Sequence, residues 1–431
     1  MPLLKSLFRV IVMEFIKRNK QLYILATTLR TVALLCATGP IMQTFLASLG
    51  FSSQWIYINT SIVQAANVLT ISLCSTWADK GSVIKRTAMV ELPFALLYLC
   101  YIPLCLWKSA SLASFLILTA ICLLQSVCIA LWTICEYKLP YFIYSPVDYG
   151  SVLAVSGVIS SLISLGTGVV ITRLTSFLSY SRLMLVSCGI STVLMLLCAL
   201  LHRLLKPIPG ESPAAAKTPA RKKSSPLEIF RYPVFYHLIA ANLLRGFGYG
   251  TTTIMAAIAL DLGFDQSVST SLVAIQSIAL LLGCALFGVG IHHISPRVMA
   301  FAGALTFSLM PLMLVRKKVV FLILLAVILL GRTLVDYAVP SILRFAVPVD
   351  LAGPFNAWRM LLHNTGSFIA TTVAAFIPVE WLLIITMVFQ ILSGISFFVS
   401  KDLRMAPEYR KNNSLHSRKI TRSLGSSKDF Q

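Results

Sequence analysis

The sequence predicts an all-α integral membrane protein made of two similar six-helix bundles. The chain has 431 residues, of which 57% are hydrophobic and only 12% are charged. A soluble domain carries about 25% charged residues, so lipid must cover much of this surface. Apolar segments long enough to span a bilayer recur along the chain. Short motifs of the first half recur about 200 residues later, which indicates an internal repeat.

Twelve apolar segments have the length of a spanning helix, about 20 residues. They cover residues 21–48, 55–77, 87–107, 112–135, 149–172, 182–204, 233–261, 268–291, 297–315, 319–343, 353–377 and 381–400. These spans divide the chain into five parts. The parts are an amphipathic N-terminal segment (1–20), a first bundle (21–205), a low-complexity linker (206–230), a second bundle (231–400) and a basic, disordered tail (401–431).

The distribution of basic residues predicts the orientation of the spans. With the N-terminus in the cytoplasm, 26 of the 36 Lys and Arg lie on the cytoplasmic side, six lie outside and four lie within spans. We therefore predict a plasma (inner) membrane protein whose termini and linker are cytoplasmic. The net charge of +21 collects in connections and tails, where it meets anionic lipid headgroups. The bilayer is thus the expected partner, and nucleic acid is not.

The repeat places charged residues at matched positions of the two halves. Arg30 and Arg245 each precede an apolar stretch that ends in Leu-Gly-Phe, at 49–51 and 262–264. Glu136 and Asp336 each begin a carboxylate-Tyr-x-x-Pro motif, 200 residues apart. A charge inside an apolar helix costs several kcal/mol unless it is paired or hydrated, so these residues are functional candidates.

The connection between spans 2 and 3 carries a motif of known type. It reads Trp77-Ala-Asp-Lys-Gly-Ser-Val-Ile-Lys-Arg86, which resembles the loop signature of the major facilitator superfamily. The resemblance covers about residues 20–400. It implies a transporter that alternates access to a central cavity lined by spans 1, 4, 7 and 10. The gating residues that it implies are Asp79, Lys80, Gly81, Lys85 and Arg86, and we add Glu136, near the cytoplasmic end of span 4.

The chain also departs from the superfamily pattern. Ser75 replaces the usual Gly of the loop signature, the connection between spans 8 and 9 has no Asp, and span 5 lacks the Gly-Pro signature of drug antiporters. The motif further predicts that Asp79 approaches the N-terminus of span 11 near Gly353 and holds the inner side shut.

Two interpretations of the buried charges stay open. In the first, Arg30 and Arg245 line the cavity and bind solute, as an Arg pair from spans 1 and 7 does in organophosphate exchangers of the superfamily. In the second, they form structural ion pairs with Glu136 and Asp336. Arg332 and Asp336 share a helix face at i,i+4, as a neutralised pair or with Asp336 as a proton site. The predicted substrate-binding residues are Arg30, Gln64, Asn67, Gln125, Asn242, Arg245, Gln276, Arg332 and Asp336.

These observations predict a secondary transporter for a small polar solute, a sugar or an organic anion, driven by a proton or sodium gradient. No nucleotide-binding motif is present, so ATP is not the expected energy source. No constellation of catalytic residues lies at a membrane face, and no cofactor is expected. All ten Cys lie in apolar stretches, and we expect none of them to lie near a His at metal-ligand spacing, which favours packing over metal binding. Glu91 in span 3 is expected to pair with Arg86. The alternatives are a multidrug or metabolite efflux transporter and a non-transporting sensor or scaffold. We expect a monomer.

Overall fold

The computed structural model describes residues 2–74, 77, 82–107, 110–136, 139, 143, 146–207, 234–290, 293–346 and 349–399. Each of the twelve predicted spans corresponds to one helical region, numbered α1 to α12. Ten regions are long and apolar enough to cross a membrane. The other two are α7 and α11.

The bounds of the helices follow the predicted spans closely. The first half contains α1a (Pro2–Ala37), α1b (Pro40–Ser48), α2 (Ser53–Cys74), α3a (Val83–Leu99), α3b (Ile102–Trp107), α4 (Leu112–Glu136), α5 (Pro146–Leu174) and α6 (Tyr180–Arg203). The second half contains α7a (Val234–Thr253), α7b (Met255–Asp261), α8 (Gln266–Gly290), α9 (Pro296–Leu305) with a 3₁₀ continuation (Thr306–Val315), α10 (Lys318–Ala346), α11 (Val349–Ala374) and α12 (Val379–Val399).

Four helices start at least three residues before their predicted spans. Helices α3a and α5 begin at Val83 and Pro146, four and three residues early. Helix α1a runs without interruption through residue 20, where the amphipathic segment was predicted to end. Helix α11 begins at Val349, one turn before the predicted start near Gly353.

Helices α1 and α7 are interrupted at matched places. In α1 the break is at Gly39, whose φ of 57° is a left-handed conformation, and Pro40 then opens α1b. In α7 the break is at Ile254, directly after three Thr residues. The hydroxyls of Thr252 and Thr253 donate to carbonyls three residues back, at 2.8 and 2.6 Å. Such local hydrogen bonds compete with the helix ladder and favour its end at this position.

The repeated Leu-Gly-Phe motif forms the same cap in both halves. Gly50 and Gly263 have φ values of 100° and 84°, which glycine adopts at low cost. The Phe51 amide donates to the Leu46 carbonyl, and the Phe264 amide donates to the Ala259 carbonyl. This is the six-to-one bond of a Schellman cap. The sequence repeat therefore encodes a structural repeat.

Helix packing follows a twofold pattern. In the first half, α1 packs on α5 and α6, α3 packs on α4 and α6, and α2 packs on α4. In the second half, α7 packs on α11 and α12, α9 packs on α10 and α12, and α8 packs on α10. Each contact of the first half thus recurs six helices later. The two halves meet along α5 with α8 and along α2 with α11.

These contacts arrange eight helices around the centre of the molecule. The order of packing runs α1, α5, α8, α10 on one side and α7, α11, α2, α4 on the other. Large apolar side chains face outward, among them Leu73, Phe177 and Val289, which are 82%, 82% and 69% exposed. An apolar exterior suits contact with lipid, so the interior of the ring is the place for the polar residues.

Candidate functional site

Arg30 of α1a and Glu136 of α4 form an ion pair in the first half. The closest nitrogen and oxygen atoms are 3.6 Å apart, and the Arg30 guanidinium also stacks on the Trp132 ring. The Tyr23 hydroxyl donates to the other Glu136 oxygen at 3.1 Å. Within the described part of the chain, Nε and Nη1 of Arg30 are buried without a hydrogen-bond partner. The pair therefore neutralises the charge but leaves donors unused.

Arg245 of α7a and Asp336 of α10 form the matching pair in the second half, at 2.5 Å. Arg332 contacts the same carboxylate at 3.6 Å, donates to the Thr252 hydroxyl at 2.7 Å and lies 3.9 Å from the centre of the Tyr249 ring. Both ion pairs of the structural interpretation are thus present in the structure. They join α1 to α4 and α7 to α10, and so complete the ring of eight helices.

The two clusters differ in formal charge. Glu136 and Asp336 are 200 residues apart, and so are Trp132 and Arg332. The second half therefore carries Arg332 where the first half carries an aromatic ring. The first cluster is neutral, whereas the second holds two guanidinium groups against one carboxylate. A small cavity in the second half is lined by Arg245, Tyr249, Phe307, Arg332, Val335, Asp336 and Gln390.

The predicted amides have different surroundings. Gln125 is buried and accepts a hydrogen bond from the Tyr101 hydroxyl at 2.7 Å, so it joins α4 to α3 inside the first bundle. Asn242 is fully buried and accepts from Arg245 at 3.5 Å. Gln64, Asn67 and Gln276 are partly buried, and their side chains make no hydrogen bond in the part of the chain that the structure describes.

The predicted gating loop is only partly described. Asp79, Lys80 and Gly81 lie outside the described residues, so the expected contact of Asp79 with α11 remains a prediction. Lys85 is exposed and lies in the first turn of α3a. Its backbone amide donates to the hydroxyl of Ser82, the N-cap residue, at 3.5 Å. The Arg86 guanidinium lies 4.8 Å from the centre of the Trp77 ring.

The halves are held together at the end of the bundle that lies away from the linker. The Gln43 amide of α1b donates to the Thr253 carbonyl at 2.7 Å and accepts from the Ala257 amide at 3.2 Å. It thereby satisfies backbone groups on both sides of the break in α7. Asp261 of α7b accepts hydrogen bonds from the hydroxyls of Ser53 and Tyr57. We call these six residues, Gln43, Ser53, Tyr57, Thr253, Ala257 and Asp261, the distal gate.

A buried polar cluster in the first half was not found from the sequence. Glu91 of α3a was expected to pair with Arg86, the nearest basic residue along the chain. Its carboxylate instead lies 2.8 Å from His202 Nδ1 and accepts from the Cys198 thiol at 3.2 Å. Cys198 and His202 are four residues apart on α6, so they share a face, and the expectation that no Cys lies near a His at ligand spacing was wrong for this pair.

Comparisons with known proteins support the observed architecture. No protein-family model and no curated protein matches this sequence. The solved nucleoside transporter NupG is similar in structure, with a TM-score of 0.61 and 14% identity over 90% of this chain and 99% of that chain. A bacterial homologue of the iron transporter ferroportin is similar in its inward-facing state, with a TM-score of 0.66 and 12% identity over 89% of this chain and 99% of that chain.

The same homologue in an outward-facing state with soaked iron has a TM-score of 0.64 and 13% identity, over 89% of this chain and 99% of that chain. Identities this low carry information on the fold and not on the solute. The twelve helical regions of the described residues, their twofold packing and these similarities all indicate the same fold. The chain has the major-facilitator fold of these solved proteins, two pseudo-symmetric six-helix bundles.

Proposed function

We propose that this protein is a secondary transporter that moves a small organic anion across the plasma membrane by alternating access. The observation that carries the proposal is the excess positive charge of the second cluster, where Arg245 and Arg332 share the single carboxylate of Asp336. An uncompensated guanidinium inside a membrane bundle is costly, and an anionic solute would offset that cost.

The unused donors of Arg30 support an anion as well. A guanidinium presents five N–H donors, and Glu136 uses only part of them. A carboxylate or phosphate group matches the remaining fork. A sugar is less well supported, because Arg30 and Arg332 cover the faces of Trp132 and Tyr249 on which a sugar ring would stack.

The closed distal gate supports alternating access. If the linker is cytoplasmic, as the distribution of Lys and Arg predicts, the closed end faces outward and the structure corresponds to an inward-facing or occluded state. A solute between the clusters would then contact both halves, and release of the distal gate would expose the site to the other side. A proton or sodium gradient is the proposed driving force, with Asp336 as the carboxylate that takes up the proton.

A binding screen on the purified full-length protein tests the solute class. Thermal shifts would be measured with carboxylates, sugar phosphates, sugars, nucleosides and ferrous iron, and counterflow in liposomes would follow for each solute that binds. The nucleosides and iron are included because the structural neighbours NupG and the ferroportin homologue are named for them. Stabilisation by one class of anion supports the proposal. Stabilisation by neutral solutes and by none of the anions would contradict it.

A further inference from the structure

Glu91, Cys198 and His202 bring three different ligand types together inside the first bundle. Their ligand atoms all lie within 4.8 Å of one another, and the three residues are 1%, 0% and 1% exposed. No other group of three such residues with this geometry occurs in the described part of the chain. The cluster belongs to the packing of α3 against α6 and adjoins the Arg30–Glu136 pair: the Tyr23 ring lies edge-on to the His202 ring, 6.4 Å between centroids, and its hydroxyl donates to Glu136.

We propose that Glu91, Cys198 and His202 bind a divalent transition metal ion of the zinc type. The donors are a carboxylate, a thiolate and an imidazole nitrogen, the three groups that hold zinc in proteins. Cys198 and His202 lie one turn apart on α6 and face Glu91 on α3. The carbonyl oxygen of Ala26, on α1, is 3.2 Å from the Cys198 sulfur and is a nearby fourth donor atom.

The distances between the donors are close to those of a tetrahedral site. Zinc bonds of about 2.0–2.3 Å hold neighbouring ligand atoms roughly 3.3–3.8 Å apart. The Cys198 sulfur is 3.6 Å from His202 Nδ1 and 3.2 Å from the nearer Glu91 oxygen, and His202 Nδ1 is 2.8 Å from the other oxygen. Outward movements of less than about 1 Å would therefore admit the ion.

Charge compensation favours a divalent ion over a monovalent one. When the metal binds, the Cys198 thiol releases its proton to solvent and becomes a thiolate. The thiolate and the Glu91 carboxylate then carry two negative charges, which a divalent cation neutralises. A neutral group is the least costly one to bury among membrane helices. The ion would hold α3 and α6 together, next to α1, and stabilise the first bundle.

The site lies near the end of α6, which gives the ion a short path to it. His202 is the second-last residue of α6, and the next two residues, Arg203 and Leu204, are exposed. The imidazole therefore lies within about one helical turn of the end of α6 on the linker side.

The test uses full-length protein without a His tag, loaded with Zn²⁺ or Co²⁺ and washed free of unbound ion. We expect about one bound ion per chain and a thiolate-to-cobalt absorption band for the Co²⁺ form. The zinc X-ray absorption spectrum should show one sulfur neighbour among nitrogen and oxygen neighbours. Glu91→Gln and Cys198→Ser should each lower the affinity at least about tenfold.

Cys128→Ser is the matched control, because Cys128 is a buried thiol on α4 outside the cluster. It should bind the ion as the wild type does. Glu91→Gln keeps the shape of the side chain, so it remains informative if Cys198→Ser does not fold. Wild-type protein that binds no ion, or binds it without a sulfur neighbour, would overturn the proposal. Equal binding by all three variants would also overturn it.

Discussion

Arg332 is the residue that distinguishes the second half from the first, since Trp132 occupies the matching position. Its guanidinium touches Asp336, Thr252 and the Tyr249 ring, so its position is fixed from three sides. A planar group held in this way can present a fixed pair of donors to a solute. Residues with this combination of charge and fixed orientation are the ones for which Arg and Lys differ most.

We predict that Arg332→Lys and Arg245→Lys each weaken anion binding by more than tenfold. Lys keeps the charge but loses the bidentate fork, and one lost charge-assisted contact costs about 1.5–3 kcal/mol. Isothermal titration with the anion found in the screen measures the change. Arg182→Lys, at an exposed position on α6, is the control and should bind as the wild type does. Unchanged affinity in both cluster variants would contradict the proposed anion site.

Arg30 separates the two interpretations of the ion pairs. If its main role is structural, Arg30→Gln leaves Glu136 with the Tyr23 hydroxyl alone and lowers the melting temperature. Glu136→Gln in the same chain should then restore stability, with a coupling of about 0.5–3 kcal/mol in the double-mutant cycle. If its main role is solute binding, Arg30→Gln stays folded and fails to bind. A stable variant with wild-type transport would exclude both roles.

Asp336 is the proposed proton site, and its test is a comparison of two transport modes. Asp336→Asn cannot exchange a proton, so uptake driven by a pH gradient in liposomes should be lost. Exchange of labelled for unlabelled solute needs no net proton movement and should continue, although more slowly. Loss of both modes with an intact fold would show that Asp336 holds Arg245 and Arg332 in place and does not couple transport.

Some of these contacts could be predicted from the sequence and others could not. The ion pairs of Arg30 and Arg245 followed from the repeat, because a buried charge needs a partner and the motifs supplied one in each half. Glu91 was assigned to Arg86 because the two are neighbours along the chain. Its true partner, His202, is 111 residues away, and no pattern in a single sequence shows which helices pack together.

At the scale of helices, the length and apolar character of the spans were predictable, whereas their interruptions were not. Hydropathy reports on side chains, so it does not register that the backbone turns at Gly39 and Ile254. The interruption in α7 provides hydrogen-bonding groups for Gln43. The side-chain amide of Gln43 bonds a carbonyl before the break and a backbone amide after it, and these two groups would bond each other in an uninterrupted helix.

We predict that Gln43→Ala opens the distal gate. The substitution leaves the Thr253 carbonyl and the Ala257 amide without Gln43, so the closed state loses two hydrogen bonds between the halves. Ser61, which bonds Thr372 across the α2–α11 contact, is replaced by Cys as a reporter of opening. Labelling of Ser61→Cys by an impermeant maleimide should become several-fold faster with Gln43→Ala. Ser72→Ala, at an exposed site on α2, should leave the rate unchanged.

The contact of α7 with α11 depends on glycines. A Cβ atom at Gly246 would lie 1.9 Å from the His363 carbonyl oxygen, and one at Gly366 would lie 2.1 Å from the Leu243 carbonyl oxygen. Both distances are severe clashes. Backbone atoms cannot move aside as a side chain can. Gly246→Ala should therefore force α7 and α11 apart and cost about 1–3 kcal/mol or more.

The control for Gly246→Ala is Gly189→Ala on α6, where a Cβ would meet no atom within 4 Å. Alanine has the higher helix propensity, so this variant should be as stable as the wild type or more stable. The fraction of protein that remains monodisperse after heating in detergent compares the two. Equal loss in both variants would show that the close approach of α7 and α11 at Gly246 does not decide the outcome.

At the scale of the whole molecule, the twofold pattern of contacts explains why two ion pairs occupy equivalent places. In each half, the first helix packs against the fifth and sixth helices. An ion pair joins the same helix to the fourth helix. The clusters therefore lie on the elements that would move with each half. A solute held between a neutral cluster and a positive one would attract both halves to itself, which is the condition for a rocking motion around a fixed site.

The orientation of this assembly is the last prediction, and it decides which state the structure represents. Both termini and the linker should be cytoplasmic, and the α5–α6 connection around Phe177 should be outside. Alkaline phosphatase fused after Phe177 should then be active, and the same enzyme fused after Gln431 should be inactive. The distal gate lies at the end of the bundle that carries the α5–α6 connection. Activity of the fusion after Phe177 would therefore mean that the closed end faces outward. The reverse pattern would mean that the gate closes toward the cytoplasm, and that the proposed inward-facing or occluded state is an outward-facing one.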